Sequence, residues 1–517
     1  MFAENKNNRY MEERYIASVD LGSSKIALTV ARISGNDVQI VYYKETPSDG
    51  IRNSYVFNPK KASAPLKEAI AEAEKDLRIK ILQVVVGLPK YYVKQESASG
   101  KVPRGEEAGC ITEEEVENLK EMALESYPLN DEKNEVMYGA VAQSFSTEDS
   151  FQQVEGDIVG MVSDYLEGNF KVFIGRRRSV ANLDVVMNEL GIAIARKYFL
   201  PDVVAKAVLT EEEMENGVAL IDMGAGSTSV TIYKGKVMRH YGAIPFGGKT
   251  ITSDIRTECG LSERLAENIK LAYGACMPDR LQNLSEKIIQ INDENGVPLK
   301  QLPVKYLSEI ITLREKEIID SMLYLIEESG FADSLRAGVV ITGGGANLLN
   351  CASYVTELSG YHVRTGYPRH LFSASGCTGV FETGATAAVG MVLAAKNDRL
   401  LNCLDAPILP PEPEPEPAQE PQAEADPVDA LFHPGEAEPV ETPAAKPEPA
   451  EPKLPRENFL IDPVEFGEEV PREPKKKEPK PESRFAKMTK IIWGKVKSTG
   501  EELVGSLYDD MDKNNNE

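Results

Sequence analysis

The sequence contains few of the residues that build disulfide frameworks or metal sites. Its six cysteines and four histidines are scattered along 517 residues, with no Cys-x-x-Cys pair. This distribution argues against a disulfide-stapled secreted domain and against a structural zinc site, so we expect free thiols. Basic residues are also in the minority. A formal net charge of −24 argues against nucleic acid as the main partner, because phosphate backbones bind strongly basic surfaces.

Long apolar stretches are missing as well. No uninterrupted apolar run reaches the roughly 18 residues that span a bilayer. The N-terminal segment MFAENKNNRYMEERY has no hydrophobic signal core, so we expect a cytoplasmic protein. Two common phosphate-binding motifs, G-x-x-x-x-G-K-[ST] and a G-x-G-x-x-G after a strand, are absent, which excludes a P-loop and leaves no dinucleotide fingerprint.

Up to about residue 400, strand-like and helix-like runs alternate. Hydrophobic patterning predicts strands at 15–20, 26–33, 38–44, 82–87, 217–222, 228–233 and 337–342. It predicts helices at 60–77, 113–126, 262–273, 304–329 and 382–396. Strand hairpins mixed with helical crossovers indicate an α/β fold.

The composition changes sharply near residue 407. Of the 32 prolines, 20 lie between residues 407 and 481, so we predict a disordered Pro/Glu-rich linker over 401–483. Residues 484–508 regain a helical period, and the segment Lys475–Lys497 carries nine basic and two acidic residues. An apolar face combined with basic charge is typical of helices that bind anionic membranes. The predicted membrane-binding residues are Phe485, Met488, Ile492, Trp493, Val496, Arg484, Lys487, Lys490 and Lys495.

The alternative for this segment is a helix that docks on a partner protein or on the folded core. A long linker makes docking on the chain's own core unnecessary. The segment after Glu501 becomes acidic, so within 484–508 the anchor itself is expected to be confined to about residues 484–500.

Two hairpins carry the chemistry of the folded region. The stretches YIASVDLGSSKIALTV (15–30) and GVALIDMGAGSTSVTIY (217–233) each run from a strand through Asp and small residues into a second strand. Small residues let backbone N–H groups approach an anion, and an Asp at a strand end can hold a hydrated Mg²⁺. The predicted phosphate and metal residues are Asp20, Gly22, Ser23, Ser24, Lys25, Asp222, Gly224, Gly226, Ser227 and Thr228. Either hairpin alone is compatible with an ordinary turn.

A third segment makes accident less plausible. In AGVVITGGGANLLN, an apolar strand runs directly into Gly343, Gly344 and Gly345. Without Cβ atoms, these glycines allow a flat base to lie against the backbone. The order and separation of the three segments therefore predict a nucleotide site.

Together the three segments resemble the actin, sugar-kinase and heat-shock-chaperone ATPase superfamily. More narrowly, VVVGLPKYYVKQESASGKVPRG and AKAVLTEEEMENGVALIDMGAGSTS resemble the FtsA family of bacterial cell-division proteins. The resemblance implies an actin-like two-lobed α/β fold with an inserted small subdomain, and ATP with Mg as cofactors. In SERLAENIK it places Glu267 and Lys270 at the ribose; their alternative is a surface ion pair.

The resemblance also implies a division into domains. The core of the first lobe would comprise 1–87, 183–212 and 382–400, interrupted by the inserted subdomain 88–182. The second lobe would have its core at 213–246 and 316–381 and a small subdomain at 247–315. The linker 401–483 and the membrane-binding helix 484–508 would follow.

Two departures from the family concern hydrolysis. Leu200 stands where ATPases of the superfamily usually carry a Gln or Glu that orients water, and leucine cannot polarise a nucleophile. Loop two continues Ser227-Thr228-Ser229 where the family often has an Asp. We therefore expect ATP binding with weak or absent ATPase activity.

The function implied by the resemblance is that of a cell-division scaffold. The chain would polymerise as a peripheral protein on the cytoplasmic face of the inner membrane, at the division site. It would anchor the FtsZ ring by binding the FtsZ C-terminal peptide, and would recruit late divisome proteins. The alternatives are a pilus-assembly or other cytoskeletal scaffold similar to PilM or MreB, a sugar or acetate kinase, and a chaperone-type ATPase.

Overall fold

The computed structural model describes residues 13–105, 109–148, 153–292 and 297–404. The predicted membrane-binding helix, including Phe485, Trp493 and the other residues named for it, lies outside these ranges, as does the predicted linker beyond residue 404. Within the described ranges, no helix combines the length and apolar character needed to cross a bilayer.

The described residues form an alternating series of strands and helices. The strands are β1 Arg14–Leu21, β2 Lys25–Ser34, β3 Asp37–Pro47, β4 Ile51–Arg52, β5 Tyr55–Val56, β6 Gln83–Leu88, β7 Val93–Pro103, β8 Glu135–Ser146, β9 Tyr165–Arg176, β10 Ala193–Phe199, β11 Val218–Met223, β12 Thr228–Lys234, β13 Val237–Ile244, β14 Ile288–Asn292, β15 Pro298–Pro303, β16 Val339–Thr342, β17 Val363–Thr365 and β18 Ser373–Ala374. The helices are α1 Pro59–Leu77, α2 Glu113–Glu125, α3 Glu155–Ile158, α4 Arg177–Leu190, α5 Leu200–Val208, α6 Glu211–Asn216, α7 Gly248–Cys259, α8 Glu263–Tyr273, α9 Val304–Glu328, α10 Cys351–Ser359 and α11 Thr386–Ala395.

Every strand and helix predicted up to about residue 400 is present. The largest difference is at α11, which begins at Thr386 rather than at residue 382. The preceding residues Thr383–Ala385 form a 3₁₀ turn, in which the Thr383 hydroxyl donates to the carbonyl oxygen of Gly343 at 2.9 Å. This contact holds the turn against another loop and delays the start of the helix.

Two sheets share one topological plan. The six-stranded sheet has the order β10-β6-β1-β2-β3-β18, and the five-stranded sheet has the order β13-β12-β11-β16-β17. In each, an antiparallel hairpin (β1–β2 or β11–β12) has a parallel strand beside its first member (β6 or β16). Because the plan is the same, each hairpin turn lies beside the carboxyl end of a parallel neighbour.

We call the parts built on these sheets the first and second lobes. The second lobe has its own cluster of buried apolar residues, whereas the cluster of the first lobe continues onto the second sheet through Val218, Leu220 and Val340. Helix α11 packs on β1, β2 and β6, and α5 packs on α11 and also contacts β12 of the second lobe. This helix pair therefore joins the two sheets.

The first residues assigned to the predicted linker, 401–404, belong to the folded region. Leu401, Cys403 and Leu404 are buried, and the Cys403 amide donates to the carbonyl oxygen of Tyr15 at 2.7 Å. The Cys403 carbonyl oxygen in turn accepts from the amide of Leu82 at 3.0 Å. These residues complete the core of the first lobe, which corrects the expectation that they are part of the linker.

A three-stranded antiparallel sheet, β7-β9-β8, stands apart from the two main sheets. Helix α2 packs on it, and Leu119, Phe145 and Phe170 belong to its own apolar cluster. The helix begins with a capping box, in which Thr112 accepts from the amide of Glu115 while Glu115 accepts from the amide of Thr112. We call residues Val93–Arg176 the insert.

The insert contacts the second lobe through polar groups. Gln95 Oε1 accepts from the amide of Tyr241 at 3.1 Å, and Gln95 Nε2 lies 2.7 Å from His240 Nδ1. Gln143 Nε2 donates to the carbonyl oxygen of Met238 at 2.9 Å. Lys171 Nζ donates to the carbonyl oxygen of Arg239. Strand β13 is therefore held by the insert along several consecutive residues.

Candidate nucleotide-binding cleft

The two strand–turn–strand loops and the glycine run meet at one cavity of about 600 Å³. Segments that are far apart in the sequence thus share a single site. The predicted nucleotide-site residues that line this cavity are Asp20, Gly22, Ser23, Ser24, Lys25, Asp222, Gly224, Gly226, Ser227, Glu267, Lys270, Gly343, Gly344 and Gly345.

Thr228 is the predicted residue that does not line the cavity. It is the first residue of β12 and is fully buried. Its hydroxyl donates to the carbonyl oxygen of Phe246 at 2.9 Å. The side chain therefore supports the second lobe, which corrects the expectation that its hydroxyl faces a phosphate.

Loop one (residues 20–25) and loop two (residues 222–228) touch through a cluster of hydroxyl groups. Ser23 Oγ accepts from the amide of Ser54 at 2.9 Å, and Ser54 Oγ lies 2.8 Å from Ser227 Oγ. Ser54 lies at the turn between β4 and β5, so this turn reaches between the two loops. The close approach requires a glycine: a Cβ at Gly226 would lie 2.5 Å from Ser23 Oγ.

Two carboxylates face the same cavity, one from each hairpin. Asp222 is buried, and its Oδ2 accepts from Lys90 Nζ at 2.6 Å. Burial raises the pKa of Asp20 above its ordinary value, although the positive charge of Lys90 opposes this shift. A cleft that concentrates two carboxylates favours a cation between them.

The donor set at these carboxylates is compatible with hydrated Mg²⁺. Within the described ranges, no three or more His, Cys, Asp or Glu side chains are grouped so as to hold a metal ion. Mg²⁺ usually keeps several waters and binds one or two carboxylates together with phosphate oxygens. Asp20 and Asp222 meet that description, whereas a closed all-protein cage would need more ligands.

Lys25 is held at the edge of the cavity by a second acid. Its Nζ forms an ion pair with Glu45, and the hydroxyl of Tyr43 donates to the same carboxylate. Burial, followed by the hydrogen bond to Glu45, raises the pKa of Tyr43 strongly, so this phenol remains protonated. The side chain of Lys25 is therefore positioned by residues of β3.

Glu267 and Lys270 form an ion pair with an Nζ–Oε2 distance of 2.8 Å. Lys270 Nζ also donates to the carbonyl oxygen of Gly248 at 2.9 Å and to Thr252 Oγ1 at 2.8 Å. Because an ammonium has three protons, these partners use its full donor capacity. Lys270 therefore fixes α8 against the start of α7, which leaves Glu267 as the member better able to meet a ribose.

The glycine run closes the cavity beside β11. Gly343 has φ +83°, and a Cβ there would lie 2.6 Å from Asp222 Oδ1, so both its conformation and its surroundings require glycine. Asn347 also lines the cavity, and its side-chain amide lies 2.9 Å from the Thr383 hydroxyl oxygen. The 3₁₀ turn before α11 thus orients a side chain at the glycine run.

Leu200 lines the cavity at the start of α5 and is 5% exposed. A Cβ at Gly87 would lie 2.4 Å from Leu200 Cδ2, so the side chain packs directly against the end of β6. An apolar wall therefore stands at the position where a residue orienting water was considered.

Among the polar residues of the cavity that the sequence interpretation missed are Ser54, Lys90 and Asn347. Asn347 lies two residues after the glycine run and could have been included with it. Ser54 lies in the short segment IRNSY, in which no motif indicates a contact with the two loops. Lys90 follows β6 in a segment that was read only as the entry to the insert.

Comparisons with known proteins agree with this geometry. The model of the family described as "Cell division protein FtsA" matches residues 219–390 of the chain. The FtsA of Borreliella burgdorferi is 30% identical over 359 residues, which is 69% of this chain and 86% of that protein. The chain belongs to the FtsA family. The FtsA of Neisseria meningitidis serogroup B is 28% identical over 364 residues, covering 70% of this chain and 85% of the relative.

A solved structure supports the same fold. The PilM-PilN type IV pilus biogenesis complex contains a chain that is 17% identical, with a TM-score of 0.52 and coverage of 74% of this chain and 98% of that one. As an FtsA family member with two lobes of this plan, the chain is an actin-like cell-division protein. The fold and the family predicted from the sequence are thereby confirmed.

Proposed function

We propose that this FtsA family member binds ATP with Mg²⁺ in the cleft between loops one and two. The observation that carries the proposal is that Ser54 bridges the two loops, with its amide on Ser23 Oγ and its hydroxyl on Ser227 Oγ. Glycines on both loops leave backbone groups accessible to an anion from two sides. The glycine run Gly343–Gly345 would receive the adenosine, with Glu267 at the ribose.

Asp20 and Asp222 would hold the cation through water. When bound, Mg²⁺ would neutralise phosphate charge and orient the polyphosphate between the loops. The protein's own contribution is to present two carboxylates at the ends of β1 and β11 and to keep Lys25 within the same cavity. Leu200 offers no group that could activate water, which supports binding with weak or absent hydrolysis.

Lys25→Ala is expected to weaken ATP binding by about tenfold or more, because a charge-assisted contact is worth roughly 1.5–3 kcal/mol. Isothermal titration calorimetry with MgATP measures the change. Lys44→Ala is a matched control, since Lys44 of β3 pairs with Glu72 of helix α1 and does not line the cavity. Equal affinities for the two variants would contradict the assignment of loop one.

The wider proposal is that nucleotide-loaded chains polymerise on the inner membrane and anchor the FtsZ ring. Family membership supports this proposal. FtsZ's C-terminal peptide would dock on the small subdomain 247–315, and late division proteins would be recruited once the filament is in place. The domain limits given from the sequence belong to the same proposal. A filament that presents many membrane-binding helices gains avidity even when each helix binds weakly.

Trp493 provides a direct test of the membrane contact. It is the single tryptophan of the chain and lies within the predicted anchor. With vesicles containing anionic lipid, its fluorescence is expected to shift to the blue, and the shift should fade with added salt because basic side chains are screened. Vesicles of neutral lipid serve as the control. An unchanged spectrum with anionic vesicles would oppose the membrane role and favour a protein partner.

A further inference from the structure

Lys90 lies in the short segment between β6 and the insert, and its side chain reaches into the cleft. Its Nζ donates to Asp222 Oδ2 at 2.6 Å, and the two side chains are 13% and 10% exposed, respectively. A Cβ at Gly224 would lie 3.8 Å from the same Nζ. The ammonium is therefore next to both a proposed cation ligand and the backbone of loop two.

We propose that Lys90 competes with the divalent cation for Asp222 and binds the polyphosphate once it is displaced. This inference rests on the proposed nucleotide site. It assigns to Lys90, which lies just before the insert, the role of a positive charge that pairs either with Asp222 or with the polyphosphate. Neither loop one nor loop two provides such a residue.

The other lysines that line the cavity, Lys25 and Lys270, belong to loop one and to helix α8. Lys25 pairs with Glu45, and the three protons of Lys270 are used by acceptors on α7 and α8. Among the contacts found in the described ranges, Lys90 Nζ makes one hydrogen bond, to Asp222. Two further protons of its ammonium can therefore serve phosphate oxygens.

The backbone of Lys90 is held firmly while the end of its side chain can move. Its carbonyl oxygen accepts from the hydroxyl of Tyr241, which is 3% exposed and belongs to β13. A lysine side chain is long and flexible, so the ammonium can leave Asp222 for a neighbouring anion without any backbone change. Loop two provides that neighbouring position.

Charge makes the two occupants of Asp222 mutually exclusive. A divalent cation and an ammonium repel each other strongly at short range in a buried site, so binding of one must displace the other. The displaced ammonium is attracted to the negative phosphates that arrive with the cation. In the absence of a divalent cation, Lys90 stays paired with Asp222 beside loop two, and the two further protons of its ammonium can still bind phosphate oxygens.

The first arm of the test uses the metal alone. Electron paramagnetic resonance measures Mn²⁺ binding to the full chain in the absence of nucleotide. We expect Mn²⁺ to bind at least tenfold more tightly to Lys90→Met than to wild type, because the competing ammonium is gone. Lys94→Met is the matched control: Lys94 lies four residues away and pairs with Glu135 at 2.7 Å, outside the cavity. Equal Mn²⁺ affinity in wild type and Lys90→Met, or no binding by either, would overturn the competition.

The second arm measures ATP affinity in excess EDTA and in Mg²⁺. Wild type and Lys90→Arg are expected to retain ATP binding in EDTA. The ATP affinity of Lys90→Met in EDTA should be at least tenfold lower than that of wild type, so that ATP binding by this variant depends far more on Mg²⁺. If the ratio of ATP affinity in Mg²⁺ to ATP affinity in EDTA were the same in Lys90→Met as in wild type, the inference would be overturned while the nucleotide site remained intact. If wild type binds no ATP in either condition, the proposed function fails, and the Mn²⁺ arm still decides the competition for Asp222. Circular dichroism of each variant verifies folding.

Discussion

Gly226→Ala is expected to weaken ATP binding by about 5- to 150-fold. The added Cβ would lie 2.5 Å from Ser23 Oγ and 2.8 Å from the backbone nitrogen of Asn53. A serine side chain can rotate away, but the backbone nitrogen cannot, so loop two must move back from loop one and the β4–β5 turn. Overpacking of this kind costs roughly 1–3 kcal/mol, which gives the stated range if the whole cost falls on the closed cleft.

Calorimetric titration with MgATP measures this change, and thermal unfolding tests whether the variant remains folded. Gly109→Ala is a suitable control, because a Cβ there meets no atom of the described residues within 4 Å and Gly109 is in the insert. An affinity within twofold of wild type would mean that the loops need not touch, which would remove the main support for the proposed site.

Glu315→Gln is expected to change how the stability of the protein depends on pH. Glu315 is fully buried in α9. Its Oε1 accepts from Cys351 Sγ at 3.7 Å, and no partner for its Oε2 is found among the described residues. Burial raises the pKa of this carboxyl from 4.5 to about 8. The folded chain therefore keeps a proton that the unfolded chain releases.

The sign of the effect follows from this difference. Stability from the protonated Glu315 is fully present below pH 4.5 and is lost as the pH rises toward 8. Each pH unit in that window is worth about 1.4 kcal/mol, so wild type should lose roughly 3–4 kcal/mol relative to Glu315→Gln between pH 5 and pH 8.

Thermal and urea unfolding at several pH values measure this difference. Glu309→Gln, on an exposed part of the same helix, should follow the wild-type pH dependence. If Glu315→Gln and Glu309→Gln gave parallel curves, Glu315 would have to be ionised in the folded chain and its burial would need another explanation.

The parts of the fold that could be predicted are those in which local pattern and tertiary environment agree. Strand β11 is apolar on both faces because both are covered, and Asp222 interrupts it at its carboxyl end. The same pattern in β1 ends at Asp20. Two equivalent interruptions in equivalent hairpins therefore predict the site from the sequence alone.

The residues that escaped prediction depend on distant contacts. Lys90 and Ser54 reach the cleft only because β6 and the β4–β5 turn are placed beside loop two by the packing of the lobes. Cys403 was assigned to the linker because its neighbours resemble linker sequence, although its backbone hydrogen-bonds to Tyr15 and Leu82. Helix α9 carries both buried and exposed acidic residues, Glu315 and Glu309 among them, and the sequence does not distinguish the two. The burial of Glu315 is decided by α10, which supplies Cys351.

The insert has a mechanical consequence for the cleft. Its chain leaves and re-enters the first lobe, yet Gln95, Gln143 and Lys171 grip β13 of the second. Rotation of the lobes away from each other must strain or break these hydrogen bonds, so the grip of the insert on β13 restrains opening of the cleft. A protein bound to the insert in a way that tightens the grip would slow the escape of a ligand. By thermodynamic reciprocity, a ligand that favours the closed lobes would strengthen the binding of that protein.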